Sequence, residues 1–284
     1  MEAVDLPILR STKFKRLAAS LLLGAFAATG TIAARPSEVS IGRDVPFATR
    51  GGERLSLDVY RPDGQGPHPV AVLVHGGSWK LGSKKSWQRL GPRIADAGFV
   101  AFSVDYRLTS GPGEVRHPAP VGDLAAALAW VEEHAADYGG DPERVAMIGS
   151  SAGGHLALLL AAGERAHRPD AVVALSPPVD MTALAAESLG TDVETYLGCD
   201  VETCPERYRR ASPLDRITAS MPPVFLAYSA GEFIPRSQED ALARRLDTLE
   251  VDHEVRVFEG SRHAIELGDA VLDDVLAFLQ RHLD

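Results

Sequence analysis

Short apolar runs rich in β-branched residues alternate with longer amphipathic stretches from about residue 54 onward. The strand-like runs are RLSLDVY, PVAVLVH, FVAFSVDY, RVAMIGS, AVVALS, PVFLAYS and HEVRVFE. Several are apolar at almost every position, as expected of strands that are covered on both faces in a mostly parallel sheet.

The stretches between these runs predict helices: SWQRLGPRIADAG, VGDLAAALAWVEEHAADYG, GGHLALLLAAGE, SQEDALARRLDTLE and, last in the chain, GDAVLDDVLAFLQRHLD. In the second of them Leu124, Leu128 and Val131 fall on one helical stripe. Strands and helices in alternation predict an α/β fold, in which a doubly wound sheet carries helices on both faces.

Residues 181–212 interrupt this alternation, because they show no strong apolar period and contain many acidic residues. An insertion that follows a strand, on the side where such folds bind ligands, is interpreted as a small cap over the site. An ordinary surface excursion is the alternative. The segment also holds Cys199 and Cys204, separated by four residues, which predict either a local disulfide or two unlinked thiols and make a poor zinc site.

The N-terminal residues 1–34 have a different composition from the rest of the chain. The basic stretch RSTKFKR precedes LAASLLLGAFAATGTIAA, an apolar run of about 18 residues that ends in small side chains. This pattern predicts an export signal cleaved near Ala33 or Ala34, with an uncleaved membrane anchor as the alternative. In either case we expect the domain formed by residues 35–284 to be secreted or periplasmic.

Composition narrows the classes of function. The chain has 284 residues, 45% of them hydrophobic, which suffices for one sizeable core. Its formal net charge of −10 opposes binding to a phosphate backbone, so we expect no nucleic-acid partner. A membrane contact is expected only if the N-terminal segment stays uncleaved.

The segment GSSAG fits the pattern G-x-S-x-G in one register only, with Gly149 and Gly153 on either side of Ser151. A strand-like run precedes it and a helix-like run follows, so Ser151 falls at the turn between them. Such a turn strains the backbone of the serine and brings its neighbours close together, which requires small residues. We therefore predict Ser151 as a nucleophile and expect Ser150 to face the core.

A second glycine motif, LVHGGSWKLGSKKSW, begins in another apolar strand. A glycine pair allows backbone amides to point at the position where a carbonyl oxygen becomes an oxyanion. We predict that Gly76 and Gly77 form this oxyanion hole together with the N–H of Ala152; a simple tight turn is the alternative. His75 is expected to support the loop by hydrogen bonding and not to act as a base.

These segments together resemble the esterase and lipase class of α/β-hydrolases with a His-Gly-Gly motif, close to bacterial carboxylesterases and feruloyl-esterase-like hydrolases. The matching segments, in order, are VHGGSWKLGSKKSW, FVAFSVDYRL, PAPVGDLAAALAWVEEHAADYGGDPERVAMIGSSAGGHLA, RRASPLDRI and MPPVFLAYSAGEFIPRSQ. The resemblance covers nearly everything after about Arg54. It implies an eight-stranded, mostly parallel sheet, a triad in the order serine, acid, histidine, no cofactor and no metal, and hydrolysis of carboxylic esters.

The family order places the triad histidine after the last strand, where HEVRVFEGSRHAIEL supplies His263. This residue suits a general base that takes the proton of Ser151 and returns it to the leaving alcohol. His253 lies at the opposite end of the same strand. His155, on the helix after the nucleophile, is expected to be a satisfied core or rim histidine.

The acid departs from the family pattern. The family normally carries an aspartate in a stretch like G-T-x-D-x-x-V-P, whereas this chain reads YSAGEFIPRSQ. Alignment on the preceding strand puts the acid at Glu232, in a loop one residue shorter than usual. Our hypothesis is that the extra methylene of glutamate spans the distance lost to the shorter loop, with Asp180, Asp215 and Glu239 as alternatives.

The sequence thus predicts an exported serine hydrolase that cleaves short-chain or aryl carboxylic esters through an acyl-enzyme. Its partner is a small-molecule ester, and the sequence does not determine an oligomeric state. An arylformamidase or a peptidase of the same fold is an alternative. A hydrolase-like binding protein without catalysis is another.

Overall fold

Eight strands form a single sheet in the computed structural model, which describes residues 39–111, 114–163 and 168–283. The predicted signal segment, residues 1–34, lies outside the described residues. The strands are β1 (Ser40–Arg50), β2 (Glu53–Arg61), β3 (His68–Val74), β4 (Val100–Val104), β5 (Gly140–Ser150), β6 (Ala171–Leu175), β7 (Val224–Ser229) and β8 (His253–Phe258). Their order is β1-β2-β4-β3-β5-β6-β7-β8, and only the pairs β1–β2 and β2–β4 are antiparallel. The expectation of an eight-stranded, mostly parallel sheet is confirmed.

Helices connect the strands and cover the sheet. They are α1 (Gly91–Asp96), α2 (Ala119–His134), α3 (Ala152–Ala161), α4 (Met181–Leu184), α5 (Gly190–Leu197), α6 (Pro205–Ala211), α7 (Pro213–Arg216), α8 (Arg236–Thr248) and α9 (Gly268–Leu283). The segment predicted as a cap, residues 181–212, contains α4, α5 and α6. These helices are too short to show an apolar period, which is why the sequence pattern did not reveal them.

The sheet separates two hydrophobic clusters, and successive residues of β3 alternate between them. Val70, Val72 and Val74 belong to the cluster that includes buried side chains of α2, α3 and α8. Ala71 and Leu73 belong to the cluster that includes those of α1 and α9. Both faces of the central strands are therefore covered, which explains why their sequences are apolar almost throughout.

The parallel strands carry the functional loops to one edge of the sheet. Because β3, β5, β6, β7 and β8 run in the same direction, the segments that follow them begin at the same edge, where ligands bind in folds of this class. Within the described residues, no helix is both long and apolar enough to cross a membrane.

Candidate active site

Ser151 occupies the turn between β5 and α3. Its backbone angles are φ 52° and ψ −121°, which are unusual for a residue with a side chain. Its amide donates to the carbonyl of Leu175 at the end of β6, over 2.7 Å, and thereby holds the turn against the sheet. Ser150 is 3% exposed, in agreement with the expectation that it faces the core.

The two glycines of G-x-S-x-G are required by close backbone contacts. A methyl group on Gly149 would lie 2.3 Å from the carbonyl oxygen of Gly153. One on Gly153 would lie 2.3 Å from the carbonyl oxygen of Val74 and 2.5 Å from that of His75. The first turn of α3 is thus pressed against both β5 and the end of β3, and only glycine permits this approach.

The His-Gly-Gly loop lies directly beside the serine. A methyl group on Gly76 would be 3.1 Å from Cβ of Ser151. Gly77 has φ +117°, and its carbonyl accepts the amides of Lys80 and Leu81 at 3.0 and 2.9 Å. Ala152 is the first residue of α3, a position whose amide has no partner within its own helix. The loop and the helix start therefore border the serine from two sides, and the assignment of Gly76, Gly77 and Ala152 to an oxyanion hole stays a prediction.

His75 supports this loop from within. Its Nδ1 donates to the carbonyl oxygen of Gly76 over 2.7 Å, and its ring stacks on Tyr106 with centroids 4.2 Å apart. The Tyr106 hydroxyl in turn donates to the His75 carbonyl over 3.0 Å. Burial lowers the pKa of His75, so the ring is neutral at physiological pH and serves to hold the loop.

The predicted cap packs against the same loop. Trp79 stacks on Tyr196 of α5 at 4.7 Å between ring centroids, and Lys80 forms an ion pair with Asp192. Trp79 is fully buried, and its Nε1 donates to Nδ1 of His155 over 3.1 Å. Nε2 of His155 donates to the carbonyl of Ala211 over 2.8 Å, and burial lowers the pKa of this histidine to about 3. His155 is therefore a neutral core histidine with both nitrogens satisfied.

Glu232 and His263 lie in contact across the loops after β7 and β8. Nδ1 of His263 hydrogen-bonds to one carboxylate oxygen of Glu232, and the side chain of Glu232 is 1% exposed. The other carboxylate oxygen accepts the amide of Ser229 at 2.9 Å. A carboxylate can only accept, so the proton of the neutral imidazole sits on Nδ1 and leaves Nε2 as an acceptor.

Ser176, which the sequence analysis did not identify, links Glu232 to the residue after His263. Its hydroxyl donates to Glu232 over 2.7 Å and accepts the amide of Ala264, next to His263, over 2.9 Å. The signal available in the sequence was its position directly after the apolar run AVVAL of β6, at the edge where the other functional loops begin.

The three alternative acids have other surroundings. Asp180 accepts the amide of Ala183 at 3.0 Å and so begins α4. Burial, followed by the charge of Asp180, raises the pKa of Asp215. Glu239 is fully buried, its carboxyl oxygens have no hydrogen-bond partner among the described residues, and burial raises its pKa to about 9. Glu239 is therefore protonated at neutral pH, and the carboxylate that contacts His263 is Glu232.

No hydrogen bond between His263 and Ser151 is formed among the described residues. Nε2 of His263 is buried and has no hydrogen-bond partner within the described part of the chain. Catalytic hydrogen bonds in substrate-free enzymes are often long and shorten only in the complex with substrate. The role of His263 as the base for Ser151 accordingly stays a prediction, as does the orienting role of Glu232.

The strand order and the serine turn define an α/β-hydrolase. The family model described as BD-FAE matches residues 57–246, and the chain belongs to this family. The resemblance to feruloyl-esterase-like α/β-hydrolases is thereby confirmed.

Curated relatives are named as esterases. Esterase LipQ of Mycobacterium tuberculosis is 30% identical over 254 residues, which cover 82% of this chain and 59% of LipQ. The chain spans about half the length of the curated relatives it matches.

Solved structures share the fold. A truncated carbohydrate esterase from gut microbiota superposes with a TM-score of 0.77 at 21% identity, over 86% of this chain and 96% of that one. Thermogutta terrifontis esterase 2, phosphonylated by sarin, gives a TM-score of 0.70 at 22% identity, over 86% and 92% of the two chains.

Proposed function

We propose that the chain is a serine esterase that hydrolyses short-chain or aryl carboxylic esters through an acyl-enzyme on Ser151. The observation that carries this proposal is the strained turn that presents Ser151 beside the His-Gly-Gly loop, with a carboxylate-oriented histidine in the loop after β8. Curated relatives named as esterases support the same reaction class.

In the proposed mechanism, Nε2 of His263 takes the hydroxyl proton of Ser151 as Oγ attacks the ester carbonyl. Amides of Gly76, Gly77 and Ala152 stabilise the resulting oxyanion, each donor lowering the barrier by about 2.7–4 kcal/mol. The imidazolium then gives its proton to the leaving alcohol. Water, deprotonated by the same imidazole, attacks the acyl-enzyme and releases the acid.

Glu232 orients the imidazole and stabilises its positive charge when it forms. The hydrogen bonds from Ser176 and Ser229 fix this carboxylate, since they occupy the oxygen that does not face His263. The helices of the cap have at most eight residues each, and so short a cap favours small or aryl esters over long-chain triglycerides.

We also propose that the domain is exported. The disulfide between Cys199 and Cys204 supports an oxidising compartment, where such bonds persist. Intact-mass measurement of the protein from fractionated cells tests this proposal. A mature mass that lacks about the first 34 residues is the expected result, as the signal pattern implies.

The catalytic proposal is tested by hydrolysis of p-nitrophenyl acetate, butyrate and octanoate with the wild type and Ser151→Ala. We expect activity that falls with acyl length and is lost in the variant. Cleavage of aryl formamides or peptides in place of esters would favour the alternative hydrolases. No serine-dependent cleavage of any of these substrates by the folded protein would favour a binding role.

A further inference from the structure

The C-terminal end of α5 gathers two arginines that the proposed esterase mechanism does not use. Arg207 donates from Nη1 to the carbonyl of Leu197 over 2.7 Å. The side chain of Arg116 lies beside Gly198, the residue after Leu197. A methyl group on Gly198 would be 3.3 Å from Cδ and 3.4 Å from Nε of Arg116. Arg207 is therefore hydrogen-bonded to the end of α5, and the Arg116 side chain lies beside the residue that follows the helix.

Several further contacts fix this arrangement. Nη1 of Arg116 donates to the carbonyl of Val115 over 2.8 Å. The amide of His117 donates to the carbonyl of Tyr196 over 2.9 Å, which ties the segment carrying Arg116 to α5. The amide of Arg207 donates to the carbonyl of Cys204 over 2.9 Å, and the disulfide links Cys204 back to the residue that follows Gly198.

These arginines border a cleft of about 780 Å³, together with His117 and Arg210. Burial, followed by the charges of Arg207 and Arg216, lowers the pKa of His117 to about 4. The cleft also contains one carboxylate, Glu206, which is already bound by Nε of Arg209 at 3.0 Å and Nε of Arg210 at 3.4 Å.

Arg116 and Arg207 differ from Arg209 and Arg210 in that neither forms an ion pair with a carboxylate of the described residues. Each uses one donor on a backbone carbonyl, and a guanidinium has five. Two anchored guanidinium groups with donors to spare suit a planar or tetrahedral oxyanion, which accepts several charge-assisted hydrogen bonds.

We propose that Arg116 and Arg207 form a binding site for the oxyanion group, carboxylate or phosphate, of a small ligand in the cleft between the cap and the segment before α2. The site is independent of ester hydrolysis and stands on these contacts alone. It is separated from the His-Gly-Gly loop by one aromatic layer: the Tyr196 ring stacks on Trp79, and its hydroxyl lies 3.2 Å from Nδ1 of His117.

Calorimetric titration with inorganic phosphate and, separately, with succinate tests the site and distinguishes the two sources of oxyanion. The wild type is expected to bind at least one of them saturably and more weakly as sodium chloride is raised. In Arg116→Gln/Arg207→Gln the dissociation constant should rise at least about tenfold, since charge-assisted hydrogen bonds are lost.

Arg244→Gln is the matched control, because it makes the same chemical change at an exposed arginine of α8 that does not line the cleft. It should bind like the wild type. Arg116→Gln alone, which leaves the Arg207 contact with α5 intact, covers the case in which the double variant does not fold, and should also weaken binding. No saturable binding of either anion to the folded wild type, or equal affinity in the Arg116→Gln and wild-type proteins, would overturn the proposal.

Discussion

Replacing Glu232 tests whether the glutamate's extra methylene is needed to reach His263. Glu232→Asp withdraws the carboxylate by about 1.5 Å, the length of one C–C bond. The Glu232 carboxylate accepts hydrogen bonds from Ser176 and Ser229 over 2.7 and 2.9 Å. A shift of about 1.5 Å would move the carboxylate out of hydrogen-bond range of at least one of these serines.

The size of the effect follows from the bond to His263. A hydrogen bond to a charged group contributes about 1.5–3 kcal/mol, and about 1.4 kcal/mol corresponds to a tenfold change in rate. Glu232→Asp should therefore lower kcat by about 10- to 100-fold. Glu232→Gln should lower it by about 10³–10⁴, since the amide no longer fixes the imidazole tautomer.

The assay is steady-state hydrolysis of p-nitrophenyl acetate, with kcat and KM determined separately and folding verified by circular dichroism. Glu239→Gln is the matched control, because it makes the same chemical change at a buried carboxyl that is already neutral. Its kcat should equal that of the wild type. A normal kcat in Glu232→Gln, or a loss confined to Glu239→Gln, would refute the assignment of the acid.

Three further predictions concern stability. Gly153→Ala should destabilise the fold by about 1–3 kcal/mol and lower kcat, because the new Cβ would lie within 2.5 Å of two carbonyl oxygens. Gly122→Ala is the control, since no atom lies within 4 Å of a Cβ at that position. Equal urea midpoints for the two variants would contradict the prediction. Between pH 4.5 and about 9, Glu239 is ionised in the unfolded chain but protonated in the folded protein. The free energy of unfolding should therefore fall as pH rises, by up to about 1.4 kcal/mol per pH unit. Urea unfolding across that window should show a flatter fall in Glu239→Gln, and parallel profiles would count against the neutral carboxyl. Cys199→Ser/Cys204→Ser should lose about 2 kcal/mol of unfolding free energy, and a variant as stable as the oxidised wild type would contradict this.

The alternating pattern predicted seven of the eight strands. Six of them, β2 to β7, contain buried residues, and in the seventh, β8, half-buried Val255 and Phe258 pack against the two hydrophobic clusters. β1 was not among the predicted runs. It lies at the edge of the sheet and pairs with β2 alone. Only Val45 and Phe47 of its eleven residues pack against the core, which leaves too short an apolar pattern to predict a strand. Its existence followed from the family resemblance and not from the residues.

The serine turn could be predicted from the sequence because its steric requirements fall on neighbouring residues. Gly149 and Gly153 must both be small, and both lie within two residues of Ser151. The hydrogen bonds around Glu232 were harder to predict. Ser176 lies far from Glu232 and His263 in sequence, and hydrogen bonds formed across a sheet edge leave no spacing to detect. Likewise, nothing in the sequence of Arg116 and Arg207 indicates that both contact the end of α5.

Labelling with a fluorophosphonate tests most directly whether Ser151 is an activated nucleophile. Intact mass followed by peptide mapping should show one adduct per chain on Ser151, none in Ser151→Ala, and much slower labelling in His263→Ala, because the probe reacts only with a serine whose proton is removed by a base. A folded wild-type protein that takes up no label, or takes it up at another residue, would contradict the proposed catalytic site.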